Sequence, residues 1–527
     1  MFKPLSDFYA QLNSSKTLQH RLVLFVIILL GFFLRFYAYA LGQGYHFFTH
    51  GDELSAFEFG MRFLSGDATT LYLGQPTFGK GQLPGPVWTL VWVGLYQLGG
   101  QLLDGANFWM TCLTSLASLV TYWLARQFFS PRQSLLAAAL IAIAPWAIYY
   151  AVGTWNPYPL VVMGGLLLLA SWHFMQHPAS KAVFWALLLA AMIPQFHMIG
   201  IFYAPALLLL LFINRSNLNR LWTSLGLLAG VLVYLPYLIG DGASDWQNLR
   251  NMLSSEEAFS ISVAKTITGP VTMLSNMPGN WAGMGMEPLK AFGNWLMWDY
   301  RVLVAVSLLS ALLALFFVAS HVRSSLVLLK QHRFSLVNAY QQNPAVAFTG
   351  IYLYLPLLLF LFTGHNYATR YAIMILPLLF LLPIFALNKN AKTRMHKWLM
   401  ILLGFVSFCN LYIVLGFYPY QYKQIETGDE FMPSHRKLAV IQDVLRGNAG
   451  ANKWIAITLD NSLKRLNEDE HRAMRAVPYY MQTYQQYIEK LDRTNMTVSY
   501  RVQFRNDVDC AQHTCVYSSN NMVITRE

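Results

Sequence analysis

Apolar runs follow one another along most of the chain, at 22–41, 107–125, 134–152, 159–175, 182–200, 201–213, 221–240, 302–320, 346–363, 371–387 and 398–416, separated by polar or charged residues. A helix needs about 20 residues to cross a hydrocarbon core of about 30 Å, and most of these runs reach or approach that length. Composition agrees. Asp, Glu, Lys and Arg make up 12% of the chain, about half the share in a soluble protein, and too little to cover a water-soluble body of 527 residues. The expected fold is mainly α, a polytopic membrane protein with about eleven transmembrane helices.

The remaining charges lean basic, 37 Lys+Arg against 25 Asp+Glu. In a polytopic protein such an excess collects in short cytoplasmic loops. No nucleic-acid motif competes, and no nucleic-acid partner is expected. The same bias orients the chain. One further apolar stretch, 86–99, would reverse everything after it if it crossed. If it does not cross, Arg126, Arg132, Lys181, Arg215, Arg220 and the basic residues of 323–333 and 389–397 all fall inside. The short outer connections near Trp155 and Phe196 then hold no Lys or Arg, and that near His365 holds only Arg370. The stretch is also short for a span, and Trp88, Trp92 and Tyr96 suit an interfacial helix on the membrane surface. The 22–41 run follows Lys3, Lys16 and Arg21 and ends without a small-residue cleavage site, so it reads as a first span with a cytoplasmic N-terminus.

The chain thus divides into a transmembrane domain over 1–417, carrying outer loops at 43–106 and 241–301, and an outer C-terminal domain over 418–527. The C-terminal part shifts to alternating strand patterns (454–459, 497–504, 522–525) and helical ones (437–446, 471–491), expected to form a small soluble α/β domain. Cys510 and Cys515 lie in it, and an oxidising compartment would allow either a disulfide closing a short loop or two thiols. Cys112 and Cys409 sit in apolar runs and read as small hydrophobes. No internal repeat is visible.

Polar groups kept near a bilayer point to function. The first outer loop opens on Gly51-Asp52-Glu53 and continues through Glu58, Arg62, Gly66-Asp67, Lys80 and Pro84-Gly85-Pro86. An acidic pair there is either the solvated start of a surface helix or a source of a general base, which an acceptor hydroxyl requires to become a nucleophile. Arg35 lies inside the outer end of the first span, where a buried charge calls for a partner such as Asp52, Glu53 or a donor phosphate, unless it snorkels to headgroups.

This order, an Arg near the outer end of the first apolar helix, then Asp-Glu, an Arg, Gly-Asp and a Lys before a Pro-containing apolar helix, resembles the opening of the GT-C glycosyltransferases. The protein O-mannosyltransferase branch and the bacterial transferases that add aminoarabinose to lipid A are the most similar (family 39/83-like). Pro145 before Trp155-Asn156-Pro157, then Gln195-Phe196-His197, and finally His365 through Thr369-Arg370-Tyr371 to Pro377 continue the likeness across the membrane portion. The C-terminal domain offers nothing to match.

The resemblance implies transfer of a sugar, with inversion, from a polyprenyl-phosphate donor to a glycolipid, surface polysaccharide or protein on the periplasmic side of an inner membrane. It implies Asp52 as general base, with Glu53 hydrogen-bonding the acceptor or orienting the loop. Fixed cations must meet the charge developing on the lipid phosphate; the resemblance places Lys80 and Arg370 there, and Arg35 is a further candidate from its position in the first span. Tyr371, His365, His197, Asn156, Trp155 and Arg62 are expected around the substrate. Several of these have plain alternatives: Lys80 as a snorkelling lysine, Arg370 as a headgroup anchor, His197 and His365 as satisfied interfacial residues. Trp155, Tyr158, Trp281 and Trp295 are belt aromatics or sugar platforms.

One departure matters. Several family members carry a second Asp where this chain has Asn156, and an amide holds a divalent cation poorly. His46, His50, Asp52 and Glu58 match no compact metal spacing. No cofactor is expected, and a divalent cation is disfavoured. The Met-rich 273–286 segment reads as a mobile loop over the acceptor or as linker. Two other classes compete: a polymerase or ligase using a diphosphate-linked oligosaccharide and basic residues of the 241–301 loop, and a lipid-linked sugar flippase or transporter. The latter would carry ionisable groups near the midplane on broken helices, whereas most charges here sit at run ends. A structural anchor would need only one or two spans.

Overall fold

The computed structural model describes residues 15–41, 51–76, 81–101, 103–151, 153–253, 263–275, 286–361, 369–391, 393–426, 455–459, 498–504, 515–518 and 522–526. Helix α1 (Ser15–Leu41) is followed by α2 (Gly51–Leu64), α3 (Val87–Leu98), α4 (Leu103–Ser115), α5 (Ala117–Arg126), α6 (Pro131–Ile143) and α7 (Pro145–Tyr149). Then come α8 (Leu160–Gln176), α9 (Ala182–Phe196), α10 (Ala204–Ile213), α11 (Arg220–Ala243), α12 (Gln247–Leu253), α13 (Val263–Leu274) and α14 (Met286–Trp295). Helices α15 (Tyr300–Gln331), α16 (Leu336–Gln342), α17 (Pro344–Leu361), α18 (Leu376–Leu379), α19 (Leu382–Lys389) and α20 (Arg394–Glu426) complete the helical part.

Among the described residues, seven helical stretches are long and apolar enough to cross a membrane: Leu18–Leu41, Gly105–Ala125, Arg220–Ala243, Tyr300–Gln331, Pro344–Leu361, Tyr371–Lys389 and Arg394–Tyr420. The chain is a multi-pass membrane protein. Its lipid-facing sides are plain in α11, where Leu221, Leu227, Leu228, Val231 and Leu232 stay exposed. The other four expected runs fall on shorter apolar helices, Pro131–Ile143, Leu160–Gln176, Ala182–Phe196 and Met198–Ile213. Proline explains part of the shortening. Pro145 has no N–H to donate to the Ile141 carbonyl, and the backbone leaves helical geometry at Ala144 (ψ 124°) before α7 begins.

The 86–99 stretch forms α3, whose twelve residues rise about 18 Å, less than a span needs. Its aromatics are not laid out on a surface, however. Trp88, Trp92 and Tyr96 are all fully buried, with Trp92 against Phe57 of α2 (ring centroids 5.7 Å) and Trp88 against Phe196 of α9 (5.9 Å). These rings bury their apolar area against protein instead.

The 241–301 segment also differs from expectation. Part of it, α13, enters the bundle against α15 and α17, burying Gly269, Pro270 and Met273. Met273, read as the start of a mobile loop, is fully buried. The rest of that segment, with Trp281, lies outside the described residues. Trp295 is anchored through its indole N–H to the Gly416 carbonyl at 2.9 Å.

In the C-terminal part, β1 (Ile455–Leu459), β2 (Val498–Phe504), β3 (Cys515–Ser518) and β4 (Met522–Arg526) form one sheet in the order β1-β2-β4-β3. The β1–β2 pair is parallel and the other two pairs antiparallel. Three strands overlap the expected ones, and β3 was not foreseen. The expected helices 437–446 and 471–491 lie outside the described residues, as does Cys510; Cys515 begins β3.

Candidate functional site

Asp52 and Glu53 fall at the start of α2. The helix is held by close packing on α3. A β-carbon at Gly60 would lie 2.1 Å from the Trp92 ring, so only glycine lets the two axes approach this far. After α2 the chain turns tightly. Arg62 donates Nε–H to Asp67 Oδ2 (2.8 Å) and Nη2–H to Thr69 Oγ1 (3.0 Å), and its guanidinium lies over the Phe59 ring. The Thr69 hydroxyl, with Arg62 beside it, holds the Asp67 carboxyl below the usual carboxylate range. The structure thus gives Arg62 a carboxylate partner within its own loop.

The rest of the first loop doubles back. Gly74 N–H donates to the Leu83 carbonyl, Leu83 N–H to the Gln75 carbonyl, and Pro76 and Gln82 form an antiparallel bridge. Trp88 donates its indole N–H to Gln75 Oε1 at 2.9 Å. Lys80 lies outside the described residues, directly before Gly81. Beyond it, Gly85 (φ +118°) passes so close to Gln195 that a β-carbon there would meet Oε1 at 2.4 Å. The buried Gln195 amide accepts from Val87 N–H (3.3 Å) and donates to the Val233 carbonyl of α11 (3.0 Å). It joins α9, α11 and the start of α3.

Three stretches expected around the substrate meet beside this junction. Asn156 donates Nδ2–H to the Phe196 carbonyl at 2.6 Å. The His197 ring lies 5.5 Å from that of Tyr371, and its Nδ1 accepts the Ile199 N–H (3.2 Å), which leaves the proton of the neutral ring on Nε2. Tyr203 donates its hydroxyl to the Tyr371 carbonyl at 3.4 Å. Asn156 is 4% exposed, and its Oδ1 has no hydrogen-bond partner among the described residues. Trp155 is buried in an aromatic group with Tyr150 and Tyr158 (centroids 6.3 and 5.6 Å), so it presents no open platform. Arg370 falls in the 3-10 segment Thr369–Ile375 that carries Tyr371. His365 lies outside the described residues.

Arg35 takes partners the sequence did not indicate. It is fully buried, and its hydrogen bonds among the described residues all go to backbone carbonyls: Gly31 (3.0 Å), Ala142 (3.4 Å) and Ile141 (3.5 Å). The Ile141 carbonyl is the one Pro145 leaves without its helical donor. A cation at the C-terminal end of α6 satisfies orphaned carbonyls and meets the negative end of the dipole. Gly31 gives it room, since a β-carbon there would touch Ser118 Oγ at 3.0 Å and Arg35 Nη1 at 3.3 Å.

Sequence reasoning also missed a polar junction in the 241–301 segment. The Asn248 side chain accepts Gln82 N–H (2.7 Å) and donates to the Gln82 carbonyl (3.2 Å). Asp241, 1% exposed, supports it by accepting from Asn248 N–H (2.8 Å), Leu249 N–H (3.1 Å) and the Tyr237 hydroxyl (2.9 Å). A carboxylate ending the apolar 221–240 run was the available signal. Among the described residues no group of three His, Cys, Asp or Glu is placed to hold a metal.

No known family model and no curated protein matches the chain. Solved structures do. ArnT from Cupriavidus metallidurans in the apo state superposes with a TM-score of 0.54 at 14% identity, covering 97% of this chain and 98% of that one. The same protein bound to undecaprenyl phosphate gives 0.51 at 13% identity, over 96% and 97%. The chain shares the fold of that protein.

Proposed function

We propose that this chain is an integral-membrane glycosyltransferase that moves a sugar from a polyprenyl-phosphate donor to an acceptor on the outer side of the membrane, with inversion. The observation that carries the reading is the likeness in fold, along nearly the whole chain, to ArnT, which has been solved with undecaprenyl phosphate bound. The polar junction where the first outer loop, the 155–156 connection, His197 and Tyr371 converge supports it. Asp52 is the base: its carboxylate takes the proton of the acceptor hydroxyl as that oxygen attacks the anomeric carbon. Glu53 orients the loop or the acceptor. Lys80 and Arg370 hold the donor phosphate, whose charge grows as the bond to the sugar breaks. Asn156 Oδ1, a buried acceptor, receives a substrate hydroxyl, with His197, Tyr371 and His365 beside it.

In this reading eleven helices span the membrane, the seven long ones and the four shorter apolar ones, with α3 outside the count. The transmembrane domain covers 1–417. A periplasmic α/β domain over 418–527, closed by a Cys510–Cys515 disulfide, helps to select the acceptor, which is a glycolipid, a surface polysaccharide or a protein. The membrane is the bacterial inner membrane.

The test is a transfer assay with purified protein and a mixed pool of polyprenyl-phosphate sugars from the source cells. Asp52→Asn should lower the rate by about 10²–10⁴-fold while folding and donor binding persist, and the consumed donor names the sugar. Full activity in Asp52→Asn removes the proposed catalytic centre.

A further inference from the structure

The end of the bundle away from α2 is rich in cations. Five connections meet there, 126–134, 173–182, 213–222, 320–345 and 388–398, and none contains an Asp or Glu. Side chains tie them together: Gln133 bonds Asn388, Gln176 the Tyr340 hydroxyl (3.1 Å) and Asn219 the Ala179 carbonyl (3.2 Å). The positive charge concentrates where α15, α19 and α20 meet. Lys389, at the end of α19, donates Nζ–H to Ser324 Oγ of α15 (3.1 Å), and the Ser324 hydroxyl donates to the Ser320 carbonyl (2.9 Å). His396, in the first turn of α20, donates Nδ1–H to the Leu387 carbonyl (3.2 Å). These contacts bring Arg323, Lys389, Arg394 and Lys397 to one corner. All four are exposed, and none forms an ion pair among the described residues.

Helical periodicity sets these charges against the bilayer. On α15 the exposed Leu308, Leu312 and Phe316 share one face, and the same face continues to Arg323 and Lys330. On α20 the exposed Phe408, Phe405, Ile401 and Trp398 do likewise, and Arg394 continues that stripe. The two helices pack on each other. Two neighbouring lipid-facing stripes therefore both end on cations, at the depth where headgroup phosphates begin.

We propose that this corner binds the headgroup of an anionic phospholipid carrying two phosphates, whose acyl chains lie along the apolar stripes of α15 and α20. Charge selects the class. One phosphodiester brings a single negative charge to four cations, and a zwitterionic headgroup brings a cation of its own, whereas two linked phosphates answer cations from three helix ends at once. The Lys389–Ser324 and His396–Leu387 bonds fix those ends relative to one another before the lipid arrives, which lowers the ordering cost of binding. None of these residues belongs to the donor or acceptor site proposed above, so the two readings stand or fall separately.

The experiment titrates the full-length protein in detergent with cardiolipin and, separately, with phosphatidylglycerol, and reads bound lipid by native mass spectrometry. Cardiolipin should bind about tenfold more tightly. Arg323→Gln and Arg394→Gln should each weaken it about fivefold, the effect of one cation near a headgroup, and Lys397→Gln replaces either variant that does not fold. Arg215→Gln makes the same charge change at the same end of the bundle, beyond α10, and should leave cardiolipin binding unchanged. Equal affinity for the two lipids, or an equal loss in Arg215→Gln, would overturn the proposal, because either result means diffuse attraction between opposite charges. Displacement of bound cardiolipin by inorganic pyrophosphate would overturn the assignment to a lipid, since the anion alone would then suffice.

Discussion

Gly60 faces Trp92 across the α2–α3 contact so closely that any β-carbon would lie inside the indole ring. Alanine normally stabilises a helix interior by about 1 kcal/mol relative to glycine. Here the clash outweighs that, because Trp92 is itself fully buried against Phe57 and stacked on Tyr96. Gly60→Ala is expected to destabilise by about 1–3 kcal/mol and to lower transfer by shifting the helix that carries Asp52. Thermal unfolding together with a rate measurement checks this, and an unchanged Tm would contradict it.

Arg35 is expected to matter for folding and not for the donor. Arg35→Leu leaves the Ile141 and Ala142 carbonyls without their donor inside the bundle, at about 1–3 kcal/mol for each group. The folded fraction should bind undecaprenyl phosphate like the wild type. A large loss of affinity at unchanged stability would restore Arg35 to the phosphate site.

Asn156→Asp would set a carboxylate oxygen against the Phe196 carbonyl, 2.6 Å from the present amide nitrogen. Two acceptors then face each other in a buried place, and destabilisation of about 2–5 kcal/mol is expected. Recovery of the lost Tm on adding a divalent cation, absent in the wild type, would show that the site accepts a metal once it carries a charge. The measurement is a melting curve with and without the ion.

The Arg62–Asp67 pair gives a pH signature. The Asp67 carboxyl titrates lower when folded than when unfolded, so its contribution is fully present above the unfolded value of about 3.9 and is lost as pH falls through the folded one. Both side chains remain partly exposed, at 37% and 29%, so the contribution is about 0–1 kcal/mol. Asp67→Asn should lower Tm by a constant amount between pH 5 and 8, with the difference closing below about pH 4. A difference that persists in acid would mean the loop is held by something else.

The apolar runs were legible because a bilayer imposes length and hydropathy on each helix separately, and the described helices fall on all eleven expected runs. The first-loop motif was legible for a similar reason, since Asp52, Glu53, Arg62 and Asp67 lie within a few residues of one another. Trp88, Trp92 and Tyr96 were misread in part, because amphipathic aromatics suit an interface and a buried helix contact equally well.

Local sequence thus determined that the chain lives in a membrane, where its helices fall, and which carboxylates and cations lead the first loop. Tertiary structure alone decided what those groups touch. Arg35 meets a carbonyl 107 residues away, and Asn248 grips a backbone 166 residues away. The physical reason is that a buried polar group must be satisfied by whatever neighbour the packing brings to it, and in this bundle that neighbour is set by broken helices and close-packed glycines.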